Sequence, residues 1–211
     1  MKKLLFILTC LGVGGFSSHA ELTITASADK PAAGKVLAAV GRETKENHWR
    51  LYYLSVGSDK GRRDLGQVFT VPGKEGSSVT VNALSLAVAD VPVGVDALGA
   101  EVVLSFHDYS SGAVTSMPMV EESAYLPETF SPKDYLLFRF TPVKLEAGKR
   151  YAFVLSFQSP APKRALDLEA APERAYSEGT GLLYGWNPKA GRVLFYETEG
   201  NLVFTLYTAE E

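Results

Sequence analysis

YLLFRFTPVKLEAGKRYAFVLSFQS, Tyr135–Ser159, is the densest apolar stretch after residue 20, and its reading decides the fold class. Leu136, Phe138 and Phe140 alternate with Leu137, Arg139 and Thr141. After a break, Tyr151, Phe153, Leu155 and Phe157 share one face, and Ala152, Val154 and Ser156 take the other. A period of two filled by aromatic and β-branched residues marks a half-buried strand, because successive side chains of an extended chain point to opposite faces. Val143–Lys149 separates the two runs, and Ala147-Gly148 supplies the corner.

The same period recurs on either side. Leu22, Ile24 and Ala26 alternate with threonine and serine, and Trp49, Leu51 and Tyr53 with Arg50, Tyr52 and Leu54. Gly66–Val71 reads as a strand stopped by Pro72-Gly73, with further strands over Ser78–Val88, Glu101–Tyr109, Arg192–Thr198 and Asn201–Thr208. Gly57–Gly66, charged and punctuated by glycine, reads as a loop, and Glu199-Gly200-Asn201 as a hairpin turn. Arg164–Ala175 is the place for a helix, cut short by Pro172. Roughly nine to eleven short strands with turns between them predict a single antiparallel β-sandwich of jelly-roll type. Its expected core contains Phe69, Val81, Leu104, Phe138, Phe140, Tyr151, Phe153, Leu155 and Phe204.

The first twenty residues read as a secretory signal: Lys2 and Lys3 at the start, an apolar core over Leu4–Val13, and Ser18-His19-Ala20 before a cut. Cleavage after Ala20 would leave residues 21–211 as one domain, exported to the periplasm or the medium. The apolar core is too short for a stable span, and no later run is long enough. A retained anchor and a lipoprotein signal are the other readings; Thr9 before Cys10 is not the small residue the second requires. Cys10 is the chain's single cysteine, so the exported part would be held by its core without disulfides. The formal net charge is −3, and loss of Lys2 and Lys3 makes the remainder more acidic still. Lys60, Arg62 and Arg63 form the densest basic cluster, too small to make nucleic acid an expected partner.

Three pieces in order carry a resemblance: Gly66-Gln67-Val68-Phe69-Thr70-Val71, then Val143–Leu155, VKLEAGKRYAFVL, then Asn201–Tyr207, NLVFTLY. Over Gln67–Tyr207 the chain resembles bacterial surface domains grouped as choice-of-anchor domains, which are similar to carbohydrate-binding jelly rolls. The resemblance implies a binding module of the cell surface and carries no catalytic residues. It does not extend to a carboxy-terminal sorting tail, so anchoring is not implied.

The chemistry on offer is sparse. The histidines after the leader are His48 and His107, and neither accompanies a Gly-x-Ser-x-Gly elbow or a His-Glu-x-x-His motif. His107-Asp108 reads as a strand end meeting solvent, with a positioned base as the sharper alternative. Asp29, Glu121-Glu122 and Glu197 with Glu199 are candidate calcium ligands by type, and a structural calcium is a possible cofactor. A carboxylate pair for glycoside hydrolysis is assembled by the fold and leaves no spacing signal. Two aromatic clusters remain: Trp49 with Tyr52, and Trp186 with Tyr184 and Asn187. Flat sugar faces stack on such rings and amides bind hydroxyls, but a tryptophan in such a setting is more often a core plug than a platform. Trp186, between Gly185 and Asn187-Pro188, is expected in a turn, with Tyr184 beside it. Three function classes follow: a glycan-binding module, an interaction or structural component of the cell envelope, and a glycan-directed hydrolase or lyase.

Overall fold

The computed structural model describes residues 21–43, 47–55, 61–187 and 189–209; the expected leader with Cys10 and its cut after Ala20, the first part of the expected loop from Gly57, and Pro188 lie outside them. Among the described residues the chain is all-β. Its strands are β1 Thr23–Ser27, β2 Val36–Ala39, β3 Asn47–Leu54, β4 Gly61–Thr70, β5 Ser78–Ala87, β6 Glu101–Asp108 and β7 Val120–Tyr125. They continue with β8 Tyr135–Glu146, β9 Arg150–Phe157, β10 Ala165–Pro172, β11 Gly181–Asn187, β12 Gly191–Thr198, β13 Gly200–Leu202 and β14 Phe204–Thr208. A single 3₁₀ turn, Glu173–Ala175, is the helical element among these residues.

The strands form an antiparallel sandwich. A five-stranded sheet runs β1-β8-β5-β14-β2, and a nine-stranded sheet runs β13-β10-β3-β4-β9-β6-β7 with the β11–β12 hairpin attached to β4. The two runs of the opening segment become β8 and β9, yet they do not pair with each other. β8 pairs β1 and β5 in one sheet, and β9 pairs β4 and β6 in the other. Gly148, at φ 81°, turns the chain across the sandwich between them, a conformation that suits a residue without Cβ. Alternation in β8 changes phase at Pro142: Leu136, Phe138 and Phe140 are buried, then Val143 and Leu145. A register shift opposite Val81 and Ala83 absorbs the change, as a proline without N–H requires.

All nine residues expected in the core are there. Rings from the two sheets meet across it: Phe140 of β8 lies 4.7 Å from Phe106 of β6, and Phe204 of β14 lies 5.6 Å from Phe153 of β9. Each such pair adds about 0.5–1.5 kcal/mol beyond the area it buries.

Three expectations are corrected. Gly61–Asp64 is the start of β4, not loop, because its charges find partners: Asp64 is held by Arg62 at 2.8 Å and Arg192 at 2.7 Å. Ala165–Pro172 is strand, not helix, because β3 and β13 offer it a ladder on both edges. Glu199-Gly200-Asn201 closes no hairpin: β12 pairs β11, β13 pairs β10, and β14 pairs β5 and β2. At Val203 the chain passes from one sheet to the other.

Candidate functional site

β4 is a branch point, and the branch makes the site. Along one edge it pairs β9 over Leu65–Thr70 and then β3 over Gly61–Arg63. Along the other it pairs β11 over Arg63–Gln67. β3 leaves β4 at Tyr52 and carries β10 and β13 with it as an arm. A buried amide network ties that arm back to β4. Gln67 Nε2 donates to Asn201 Oδ1 at 2.7 Å and to the Val68 carbonyl at 2.9 Å, and Leu202 N donates to Gln67 Oε1 at 2.8 Å.

Between the arm and the β11–β12 hairpin lies an open groove of about 1110 Å³. Trp49 lines it, half-buried and packed against the core on one side. The benzo edge of its ring occupies the space over two glycines of neighbouring strands. A Cβ at Gly181 would lie 2.1 Å from Trp49 Cη2, and one at Gly200 would lie 3.1 Å from Cζ2. The absence of a side chain at these two glycines leaves the room that this edge occupies. β3 pairs β10 over Asn47–Tyr52 but β4 only over Tyr52–Leu54, so its edge at Asn47–Leu51 has no strand partner among the described residues. Backbone donors and acceptors of that edge are available to whatever enters.

The walls are mixed, with charged and polar side chains set among Ala170, Ala171, Pro172 and Leu183. Asp167 is buried and takes Arg50 Nε at 3.0 and 3.1 Å, with His48 Nε2 3.8 Å away. That bond raises the Arg50 guanidinium above its ordinary value, against a smaller opposing effect of burial. Tyr52 lies under the Arg63 guanidinium at 5.2 Å. Glu197 accepts from the Tyr109 hydroxyl at 2.5 Å; burial, then this bond, push that phenol up to about 12.

The residues singled out from sequence fall in two places. Trp49 and Tyr52 line the groove, while Trp186, Tyr184 and Asn187 sit on the β11–β12 hairpin and do not line it. Trp186 is in a paired strand, opposite Arg192, not in a turn. It is 48% exposed, which rules out a core plug, and Arg62 lies 4.9 Å from its ring. The same guanidinium is 5.2 Å from Tyr53. Tyr184 is buried with Val68, Ala152, Val154 and Leu182, and burial raises its phenol far above the ordinary range. The Asn187 amide oxygen is spent on the turn, accepting from Lys189 N at 2.8 Å and Ala190 N at 3.0 Å.

His107 does not meet solvent; it is buried, with Ala152 opposite it on β9. Its Nδ1 lies 2.9 Å from the Thr115 carbonyl and its Nε2 2.9 Å from Ser105 Oγ. Donation from Nδ1 to the carbonyl leaves Nε2 to accept from the serine. Burial lowers its titration below the ordinary value. The pair lines neither large concavity of the surface.

The candidate calcium ligands are dispersed. Glu122 accepts from Thr141 N, Glu197 from Tyr109, and Asp29 lies on the loop after β1. Among the described residues no group of three or more His, Cys, Asp or Glu is arranged to hold a metal ion. No helix there is long and apolar enough to cross a membrane. Sequence reasoning missed Arg63, Asp167, Gly181 and Gly200. Each is ordinary in its local context and becomes part of the groove through a pairing distant in the chain. No protein-family model matches the chain, and no curated protein is similar to it.

Proposed function

We propose that the protein is an exported, non-catalytic β-sandwich binding module that takes a glycan in the groove beside Trp49. The observation that carries this reading is the tryptophan seated with its benzo edge against Gly181 and Gly200 in a groove lined by both polar and apolar residues. A pocket with an apolar ring and a few converging polar groups is the usual form of a small-ligand site. The second large concavity, about 980 Å³, is lined by Lys35, Ser78, Val79, Thr80, Lys144, Thr208 and Ala209 and offers no ring.

The hydrolase reading has less support. General acid and base need carboxylates free to exchange protons, whereas Asp167 is committed to Arg50 and Glu197 to Tyr109. An envelope-interaction role would use the same fold without a ligand in the groove.

A glycan array probed with the protein tests the reading, followed by titration of the best hit against Trp49→Phe and Tyr52→Ala. Loss of a stacked ring weakens binding by about 1–3 kcal/mol, by analogy with other aromatic platforms. An array with no signal above background overturns the glycan reading in favour of an envelope-interaction role.

A further inference from the structure

We infer that the groove selects a sugar carrying an oxyanion, a carboxylate or a sulfate ester, and that Arg63 is the residue that takes it; this rests on the glycan reading above. Arg63 Nε is buried and has no hydrogen-bond partner. Among the described residues it is one of three such side-chain atoms, with Asn82 Oδ1 and the Tyr176 hydroxyl, and the one that belongs to the groove. Buried polar groups are nearly all paired in native proteins, and a guanidinium donor without an acceptor is the costly kind of exception.

The other charges of the groove are accounted for. Arg50 is matched by Asp167, which also has His48 beside it. Glu197 is held by Tyr109, and Glu199 is exposed at the rim. Among the described residues Arg63 has no such acid. Its guanidinium instead lies over the Tyr52 ring, 5.2 Å from the centroid, and its Nε is left without an acceptor. A fork of fixed N–H donors matches an oxyanion in two parallel bonds, and its position is set by the pairing of Arg63 with Tyr52 and Gly185. Trp49 lies three residues along β3 from Tyr52, about 10 Å of strand and on its opposite face, and both line the groove across the edge of β3 left unpaired among the described residues. A ring stacked at Trp49 and an acidic group at Arg63 therefore belong to one ligand of more than one sugar unit.

The test is calorimetric titration at one fixed ionic strength with four probes: polygalacturonate, dextran sulfate, uncharged dextran and polyglutamate. The protein is compared with Arg63→Gln and Arg63→Lys. Binding of polygalacturonate or dextran sulfate should be at least tenfold tighter than that of dextran and polyglutamate, and the better of the two identifies the anion. Arg63→Gln should lose at least tenfold for that probe, with Arg63→Lys between it and the parent. Equal binding of dextran, or an unchanged Arg63→Gln, overturns the inference while leaving the glycan reading standing. Polyglutamate bound as tightly as the sugars also overturns it, since charge alone would then suffice. No binding of any polysaccharide overturns both. Should Arg63→Gln not fold, the ranking of probes by the parent protein and by Arg63→Lys decides.

Discussion

Phe153 and Trp49 belong to the same nine-stranded sheet, and their surroundings differ in kind. Phe153 is fully buried among rings, with Phe69, Phe106 and Phe204 within 6.5 Å. Trp49 has glycine backbone against its benzo edge, charged residues along the groove and an unpaired strand edge beside it. The interior is held by contacts that any apolar ring of the right size can supply. The groove depends on the absence of side chains at two positions and on charges placed individually, Arg50 against Asp167 and Arg63 over Tyr52. The interior therefore tolerates polishing and the groove does not.

The sharpest way to break the contrast is to hollow the interior. Phe153→Ala should cost about 3–5 kcal/mol in denaturant unfolding, since it leaves a cavity between the sheets. A cost under about 1 kcal/mol would show that the ring contacts are not what joins them.

Next comes the link between the regions. Gln67→Leu removes the acceptor of Leu202 N and the donor to Asn201, all within the buried joint between β4 and the arm. Each polar group left unpaired costs about 1–3 kcal/mol. Unfolding should become less cooperative as well, with the tryptophan fluorescence transition preceding the loss of far-ultraviolet circular dichroism.

Gly181→Ala should crowd the groove side of the sheet. The new methyl would meet the Trp49 ring, and overpacking of this kind costs about 1–3 kcal/mol. Tryptophan emission should shift and glycan binding should fall, whereas a mutation of similar cost in the interior should leave both unchanged in the folded protein.

Trp186→Ala should do least to stability. The ring is 48% exposed and its main partner is Arg62, a contact of about 0.5–1 kcal/mol. Ligand affinity in the groove should stay at the parental value. A large fall in melting temperature would place Trp186 in the supporting structure instead.

The last expectation is a slope. Burial lowers the folded-state titration of His107 below its ordinary value near 6.5, with the Thr115 carbonyl and Glu121 opposing and Arg192 assisting. The neutral ring is the form the fold accepts. Its contribution is fully kept above about pH 6.5 and lost as pH falls from there through the lowered folded value. Melting temperature should drop on acidification over that window, and His107→Gln should flatten the drop.

The two regions also differ in how far the amino-acid sequence discloses them. Phe138, Leu104 and Phe204 declare themselves through alternation, because a strand with one buried face must repeat every second residue. Ala165–Pro172 does not. Its alanines, leucines and glutamate suit a helix, and only the ladder offered by β3 and β13 makes it a strand. Gly61–Asp64 looks like solvent-facing loop until Arg192, far along the chain, arrives to share Asp64. Trp49 and Tyr52 stand out as an aromatic pair, but nothing near them announces Asp167 or Gly181. Trp186 reads as a turn residue because glycine and proline flank it closely, and its strand partner Arg192 comes only after the true turn.

The crossing at Gly148 has a kinetic consequence. The most apolar stretch after residue 20 could close a local hairpin, and the native structure forbids it. Leu137 must find Ser85 on one side and Thr25 on the other, while Leu155 must find Leu65 and Leu104. Each of these pairings closes a long loop before any ladder repays the lost chain entropy. Proteins dominated by such distant pairings reach the native state in milliseconds to seconds, not microseconds. Throughout that interval two strongly apolar strands wait without partners, next to each other and able to mispair. The short, glycine-cornered link between them is thus the point at which the newly made chain must choose between the nearest partner and the correct one.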